Sequence, residues 1–253
     1  MEVRLAHKGK ELAFDLSNPL DISIPLRDDP QQVNCFWAPL FEVSPVRSGD
    51  FVGSTAEGGL LNFMNVRINP HGNGTHTECV GHISREPVSI HKTLRKSHFL
   101  ARLITVIPQK LSNGDRCITR QAIAQALEGE EDLEALIIRT TPNDLDKQKR
   151  NYSGTNPVYM EKDAMELIVE RKVKHLLIDL PSVDREEDGG ALVAHNTFWN
   201  YFGNMDGCRR EATITELIYV PDSILDGMYL LNLQTASFDI DVSPSKPLLY
   251  KML

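Results

Sequence analysis

Apolar residues recur along the chain with two periods, two residues and about 3.6, and the alternation of these patterns predicts an α/β protein. VKHLLIDLP (173–181) is a continuous apolar run of the kind that fills strands covered on both faces. LEALIIRTT (133–141) is a second buried, β-rich run ending in a loop, and LARLITVIP (100–108) is a third strand. Thr119 stands as an N-cap before Arg120, Gln121 and Ala122, which predicts a helix through Leu127. VYMEKDAMELIVER (158–171) places Met160, Ala164, Leu167 and Ile168 on one helical stripe. Shorter helices are expected near 89–96 and 195–202, another strand in ITELIYVP, and a closing strand pair in MYLLNLQTASFDI. ELAFDLSNPLDISIPL (11–26) reads as a short strand followed by a proline-punctuated loop. LLNFMNVRI (60–68) alternates strictly and predicts a strand leading directly into residue 71. The expected architecture is a mixed sheet with flanking helices, carrying its ligands at the carboxyl ends of strands. No repeat or low-complexity linker interrupts residues 1–253, so one continuous domain is expected.

Composition narrows the partners. Lys plus Arg is 27 and Asp plus Glu is 35, a net charge of −8 with no dense basic block, which argues against nucleic acid and anionic membranes. Small, neutral or weakly charged substrates are the better default. No run reaches the ~18 apolar residues of a spanning helix, and the start of the chain, MEVRLAHKGKELAFDL, lacks a signal-peptide core. Cys35, Cys79, Cys117 and Cys208 are dispersed, without CxxC spacing, which predicts a reduced, cytoplasmic protein.

The chemistry concentrates in HGNGTHTECVGH, residues 71–82. If the segment after Gly74 stays extended, His76, Glu78, Val80 and His82 share one face and Cys79 lies opposite. Imidazole nitrogen and carboxylate oxygen are ligands for Zn²⁺ or Mn²⁺, so a His-x-Glu pair can hold a metal with little backbone distortion. His82 lies further along and becomes a neighbour only if the chain bends; supporting a ligand from outside or acid/base work suits it better. His71 has the wrong parity for that face unless Gly72-Asn73-Gly74 turns it back. The bland alternative is a Gly-Asn-Gly hairpin with histidines decorating its edge. A Cys79 nucleophile paired with histidine is disfavoured, because the pleat points the thiol away. P-loop, HExxH, GxSxG and GxGxxG signatures are missing.

Distal residues are needed to complete a metal centre. His195, opening a predicted helix, is by itself equally readable as a structural histidine. Glu216 is a carboxylate in an otherwise apolar strand; it either meets a metal or faces water at a sheet edge. Asp179, Ser182 and Asp184 in IDLPSVD could line a site or simply cap and turn the chain, and Arg185-Glu186-Glu187-Asp188 reads as a solvated loop.

GTHTECVGH resembles the GTHxDxPxH core of the cyclase-like metal-dependent hydrolases, a family that includes bacterial kynurenine formamidase and isatin hydrolase. DLSNPLDISIPL is similar to that family's DLS-x-PL opening, LIIRTTP to its central strand ending in RTG, and IDLPSVD to its D-x-PS-x-D turn. The histidine of AHNTFW, the glutamate of TELIYV and the closing SPSKPLLY follow in the same order. The resemblance implies a swivelling β/β/α fold, often a homodimer or larger oligomer, with one or two divalent ions, Zn²⁺ or Mn²⁺. It implies His71, His76, Glu78, His195 and Glu216 as metal ligands, with Glu78 bridging, and His82 as the catalytic acid/base. The implied reaction is hydrolysis of an amide C–N bond, with formylkynurenine the favoured substrate; an isatin-like lactam or a lactone, or binding without turnover, are the alternatives. Three departures stand out. Gly72 occupies the position of the family's first histidine, leaving His71 one residue upstream; Glu78 replaces Asp; Val80 replaces Pro. The stretch NMDGCRREATI before Glu216 is also longer than the family pattern.

Overall fold

A computed structural model describes residues 1–129 and 133–253 of the chain. Its centre is a nine-stranded sheet: β1 (Leu20–Asp21), β2 (His76–Cys79), β3 (His98–Val106), β4 (Ala135–Thr140), β5 (His175–Ile178), β6 (Thr213–Glu216), β7 (Gly227–Asn232), β8 (Val242–Pro244) and β9 (Leu248–Lys251). The spatial order is β8-β2-β6-β5-β4-β3-β7-β9-β1. Strands β3 to β6 run parallel, and antiparallel strands extend the block on both sides, so the sheet is mixed as the sequence predicts.

The apolar runs lie where two covered faces require them. Leu136, Ile138, Leu176, Ile178 and Ile214 face a layer of helices, whereas Ala135, Ile137 and Leu177 face the opposite way onto Leu103, Leu231 and Leu249. The helical layer comprises α1 (Pro70–Asn73), α2 (Ile90–Thr93), α3 (Arg120–Ala126), α4 (Lys162–Glu170) and α5 (Val193–Trp199). The last three are crossovers between parallel strands, each burying an apolar stripe on the sheet: Ile123 of α3, Ala164, Met165, Leu167 and Ile168 of α4, Phe198 and Trp199 of α5. Thr119 caps α3, its hydroxyl accepting from the Ala122 amide. The second face is closed by the sheet's own far strands and by Ile218, Val220 and Ile224, so the sheet curls over itself.

Several expectations shift. Met160 lies in a short strand (Tyr159–Met160) before α4 rather than on its stripe. The alternating run at 60–68 is a strand only over Met64–Arg67, paired with Glu42–Pro45 in an exposed two-stranded ribbon. Its alternation put apolar side chains on both faces, so the pattern specified no buried side. The acidic run after Arg185 is tied down: Arg185 pairs with Asp115, and the Glu186 carboxylate accepts from the amides of Gly154 and Asn156. Among the described residues, no helix is long and apolar enough to cross a membrane.

Candidate metal centre

The loop that begins the histidine cluster is a helical turn, not a hairpin. Asn69 caps α1 by accepting from the Gly72 amide at 3.0 Å, and Pro70 fills the first helical position, where its missing N–H costs nothing. Asn73 closes the turn, its Oδ1 accepting from the Asn69 amide at 2.7 Å while its Nδ2 donates to Pro39 O. This turn rotates His71 back over the sheet. Gly72 could not do the same work: a Cβ there would stand 2.2 Å from Ala38 Cβ. A histidine at the family's own position is therefore sterically closed in this chain, and the ligand role falls to its neighbour.

Strand β2 then projects His76 and Glu78 from one face, directly opposite Glu216 and Ile214 of β6. The extended segment ends at Cys79, and a tight 3₁₀ turn over Val80–His82 follows. This corrects the expected alternation through His82: Val80 enters the core, and His82 folds back until its ring centroid is 4.3 Å from that of His71. Gly81 permits the bend, since a Cβ there would lie 2.2 Å from Val88 O. Cys79 does point away, with its thiol donating to Val88 O at 3.4 Å and pushed by burial to a pKa of about 11.

Five of the sequence candidates converge. Glu78 Oε2 lies 3.2 Å from His71 Nδ1, and Glu78 Oε1 lies 3.1 Å from His195 Nε2. Glu216 stands between His76 and His195, with Oε2 at 3.4 Å from His76 Nε2 and Oε1 at 3.8 Å from His195 Nε2. His82 Nδ1 is more distant, 3.8 Å from Glu78 Oε2. His76, Glu78, His195 and Glu216 are buried, whereas the side chains of His71 and His82 remain 26% and 29% exposed. The cluster therefore opens to solvent on the His71–His82 side.

Two carboxylates outside the predicted set orient it. Asp184 Oδ2 accepts from His195 Nδ1 at 2.6 Å, which directs Nε2 at the cluster; the remaining amides of Ala194 and His195 also donate to this carboxylate. Asp241, just before β8, reaches His71 Nε2 at 3.1 Å and His82 Nδ1 at 3.6 Å. Asp184 was one of three residues in IDLPSVD open to either reading. The structure separates them: Asp179 turns to Lys147 and Thr140, and Ser182 accepts from the Asp184 amide in a turn. Asp241 was missed; the only signal was a carboxylate two residues before the closing SPSKPLLY.

The electrostatics describe a site short of positive charge. Burial opposes a charged His71, but its hydrogen bond to Asp241 and the nearby charge of the Glu78 carboxylate prevail and push its pKa up to about 10. His195 is likewise raised, against burial, by Asp184 and Glu78. Burial disfavours a charged Glu78, yet His82, His195 and His71 hold its carboxyl well below the usual range. Protons on imidazole thus do what a dication does better. Ligands held by tetrahedral zinc at about 2.0–2.1 Å stand about 3.3–3.4 Å apart, close to the 3.1, 3.2 and 3.4 Å separations here. His76 Nδ1 donates to Gly74 O at 2.9 Å, which turns Nε2 into the cluster. That Nε2 and Glu78 Oε2 are both buried without a hydrogen-bond partner, a costly state that a metal ion would relieve. The residues present fit a divalent ion.

Comparison with known proteins shows the family and the fold. The family model described as "Putative cyclase" matches residues 14–185. No curated protein matches the chain closely enough to count as a relative. Among solved structures, a predicted metal-dependent hydrolase from Bacillus stearothermophilus is similar at 15% identity and TM-score 0.64, covering 92% of this chain and 98% of its own. Isatin hydrolase A from Labrenzia aggregata is similar at 16% identity and TM-score 0.64, covering 92% of this chain and 93% of its own. Isatin hydrolase A from Ralstonia solanacearum follows at 14% identity and TM-score 0.61, with 92% and 91% covered. At such identities the likeness is one of fold.

Proposed function

The chain belongs to the cyclase family of metal-dependent hydrolases, and from that premise we propose that it hydrolyses the C–N bond of a small amide, with N-formylkynurenine as the favoured substrate. The observation that carries the hydrolytic reading is the buried cluster of His71, His76, Glu78, His195 and Glu216, with two polar atoms left unpartnered at its centre. These five residues would hold Zn²⁺ or Mn²⁺. The two oxygens of Glu78 face different histidines, so this carboxylate would help hold a cation together with both His71 and His195. A divalent ion held there supplies Lewis acidity, which makes water nucleophilic near neutral pH and offsets charge developing on a carbonyl oxygen.

The chain's own residues do the rest. Glu78 and Glu216 supply the negative charge that retains a cation, and Asp184 fixes the His195 tautomer so that Nε2 faces it. His82 carries the proton. Its ring is on the solvent-facing side of the cluster, with Nδ1 turned toward Glu78 and Asp241, where it can pass a proton to the departing nitrogen. Water and the amide become a carboxylic acid and an amine; with formylkynurenine these are formate and kynurenine. Substituting Asp184 with Asn should lower metal affinity by about 10–100-fold through loss of this orientation, read by competition with a chromophoric chelator. Wild-type affinity in that variant would remove Asp184 from the mechanism.

A second reading, ring opening of an isatin-like lactam or a lactone by the same residues, is favoured by the isatin hydrolases among the similar structures. The non-catalytic alternative would gain if His71 pointed away and no metal were retained; His71 Nδ1 lies 3.2 Å from Glu78. The discriminating experiment is a panel of N-formylkynurenine, isatin and a simple aryl lactone, assayed with Zn²⁺- and Mn²⁺-loaded protein. Turnover of the formamide at the highest kcat/KM supports the first reading. Preference for isatin or the lactone supports the second, and no turnover of any member sinks both.

A further inference from the structure

A cavity of about 420 Å³ lies apart from the metal cluster, over the carboxyl ends of β4 and β5. That volume is in the range of small-molecule sites, and the ends of parallel strands are where α/β sheets bind ligands. None of its lining residues belongs to the histidine cluster. The wall toward the cluster is Tyr152, packed in an apolar group with Cys35 and Leu217; the Cys35 amide in turn donates to Gly72 O at 3.0 Å.

The floor of the cavity is rigid and electrically closed. Thr140 donates to Asp179 through its amide at 2.8 Å and its hydroxyl at 3.0 Å. Lys147 Nζ, itself buried, donates to Asp179 Oδ2 at 2.7 Å and to Thr140 O at 2.8 Å. These groups satisfy one another and leave no charge for a ligand. The walls differ. Arg116 and Arg150 both line the cavity, and neither guanidinium has an ion pair or hydrogen bond among the described residues; Arg150 Cζ only lies 5.5 Å from the Tyr152 ring centroid. By contrast Arg4, Arg47, Arg67, Arg120, Arg139 and Arg185 each rest on a carboxylate. In a chain of net charge −8, two uncommitted guanidiniums at one cavity are a local excess of positive charge.

We propose that this cavity is a second ligand site, selective for a small organic acid whose carboxylate meets Arg116 and Arg150. The planar guanidinium fork matches carboxylate geometry. The remaining lining mixes carbon from Pro142, Pro157, Val158, Leu180 and the Tyr152 ring with the polar side chains of Thr141, Thr155 and Asn156, the last two already donating to Tyr152 O and Asp115; about 420 Å³ is more than a bare inorganic anion fills, so the ligand carries an organic body. The inference is independent of the hydrolytic reading, since it shares no residue with it.

Calorimetric titration with benzoate, its neutral isostere benzamide and inorganic phosphate tests the assignment. Benzoate is expected to bind at least about tenfold more tightly than benzamide or phosphate, the value of one charge-assisted hydrogen bond. Arg116→Gln and Arg150→Gln should each weaken benzoate by about tenfold or more while leaving hydrolysis unchanged; Arg116 is exposed and Arg150 half-buried, and Arg→Lys variants that recover part of the affinity guard against misfolding. His76→Ala should bind benzoate within about twofold of wild type. Equal binding of benzamide or phosphate overturns the ligand class. Undiminished benzoate affinity in both arginine variants overturns the site, and its loss in His76→Ala places benzoate on the metal cluster instead.

Discussion

Replacing His76 with alanine is expected to strip the protein of bound metal and to lower turnover by at least about 10³-fold. The size follows from the several kcal/mol of transition-state stabilisation that a Lewis-acidic ion contributes, at about 1.4 kcal/mol per factor of ten. His76 is fully buried, its Nδ1 is committed to Gly74 O, and its Nε2 points without a partner toward Glu216. No neighbouring side chain can take over that nitrogen, because His71 and His195 already face the two oxygens of Glu78. Elemental analysis of the purified proteins gives the direct readout. Removing a buried ring also opens a cavity beside two carboxylates, so His76→Gln, which keeps most of the volume, separates lost ligation from lost packing. Metal content equal to wild type in both variants would falsify the assignment of the cluster.

How much of this was legible in the sequence depended on whether a residue's direction is set locally. The runs that became β4 and β5 declared themselves because strands covered on both faces must be apolar throughout. The pairing of His76 with Glu78 followed from the pleat alone. Glu216 could not be decided, since its two readings differ only in which strand lies beside it; the register opposite His76 resolves it. His71 and His82 depend on bends: one on a capped helical turn forced by Asn69 and Pro70, the other on a 3₁₀ turn that only Gly81 tolerates. Neither bend leaves a periodic trace. Asp241 is delivered by the pairing of β8 with β2, a long-range contact between residues far apart in the chain. The substitution of Gly for the family's first histidine is likewise opaque in sequence and explained by one close approach, that of Ala38.

The second large effect separates proton transfer from metal binding. His82→Gln is expected to keep full metal content while lowering kcat on an amide by about 10²–10⁴-fold, the usual worth of a positioned general acid. Geometry already sets His82 apart: it is partly exposed, and its 3.8 Å approach to Glu78 is longer than the 3.1 and 3.2 Å of His195 and His71. Yet it lies close enough to Glu78 and His195 for the three to form a ligand group, so its role has to be read from chemistry. An amine leaves an amide only if it is protonated as the C–N bond breaks, whereas a nitrophenolate leaves an ester as a stable anion. A proton carrier therefore matters for the first and little for the second. The His82→Gln enzyme should lose no more than about tenfold on a nitrophenyl ester, with kcat rather than KM carrying the amide defect. Equal losses on amide and ester, accompanied by a drop in metal content, would instead make His82 a ligand. The proton would then have to come from another group on the open rim, where Asp241 holds His71 Nε2 at 3.1 Å.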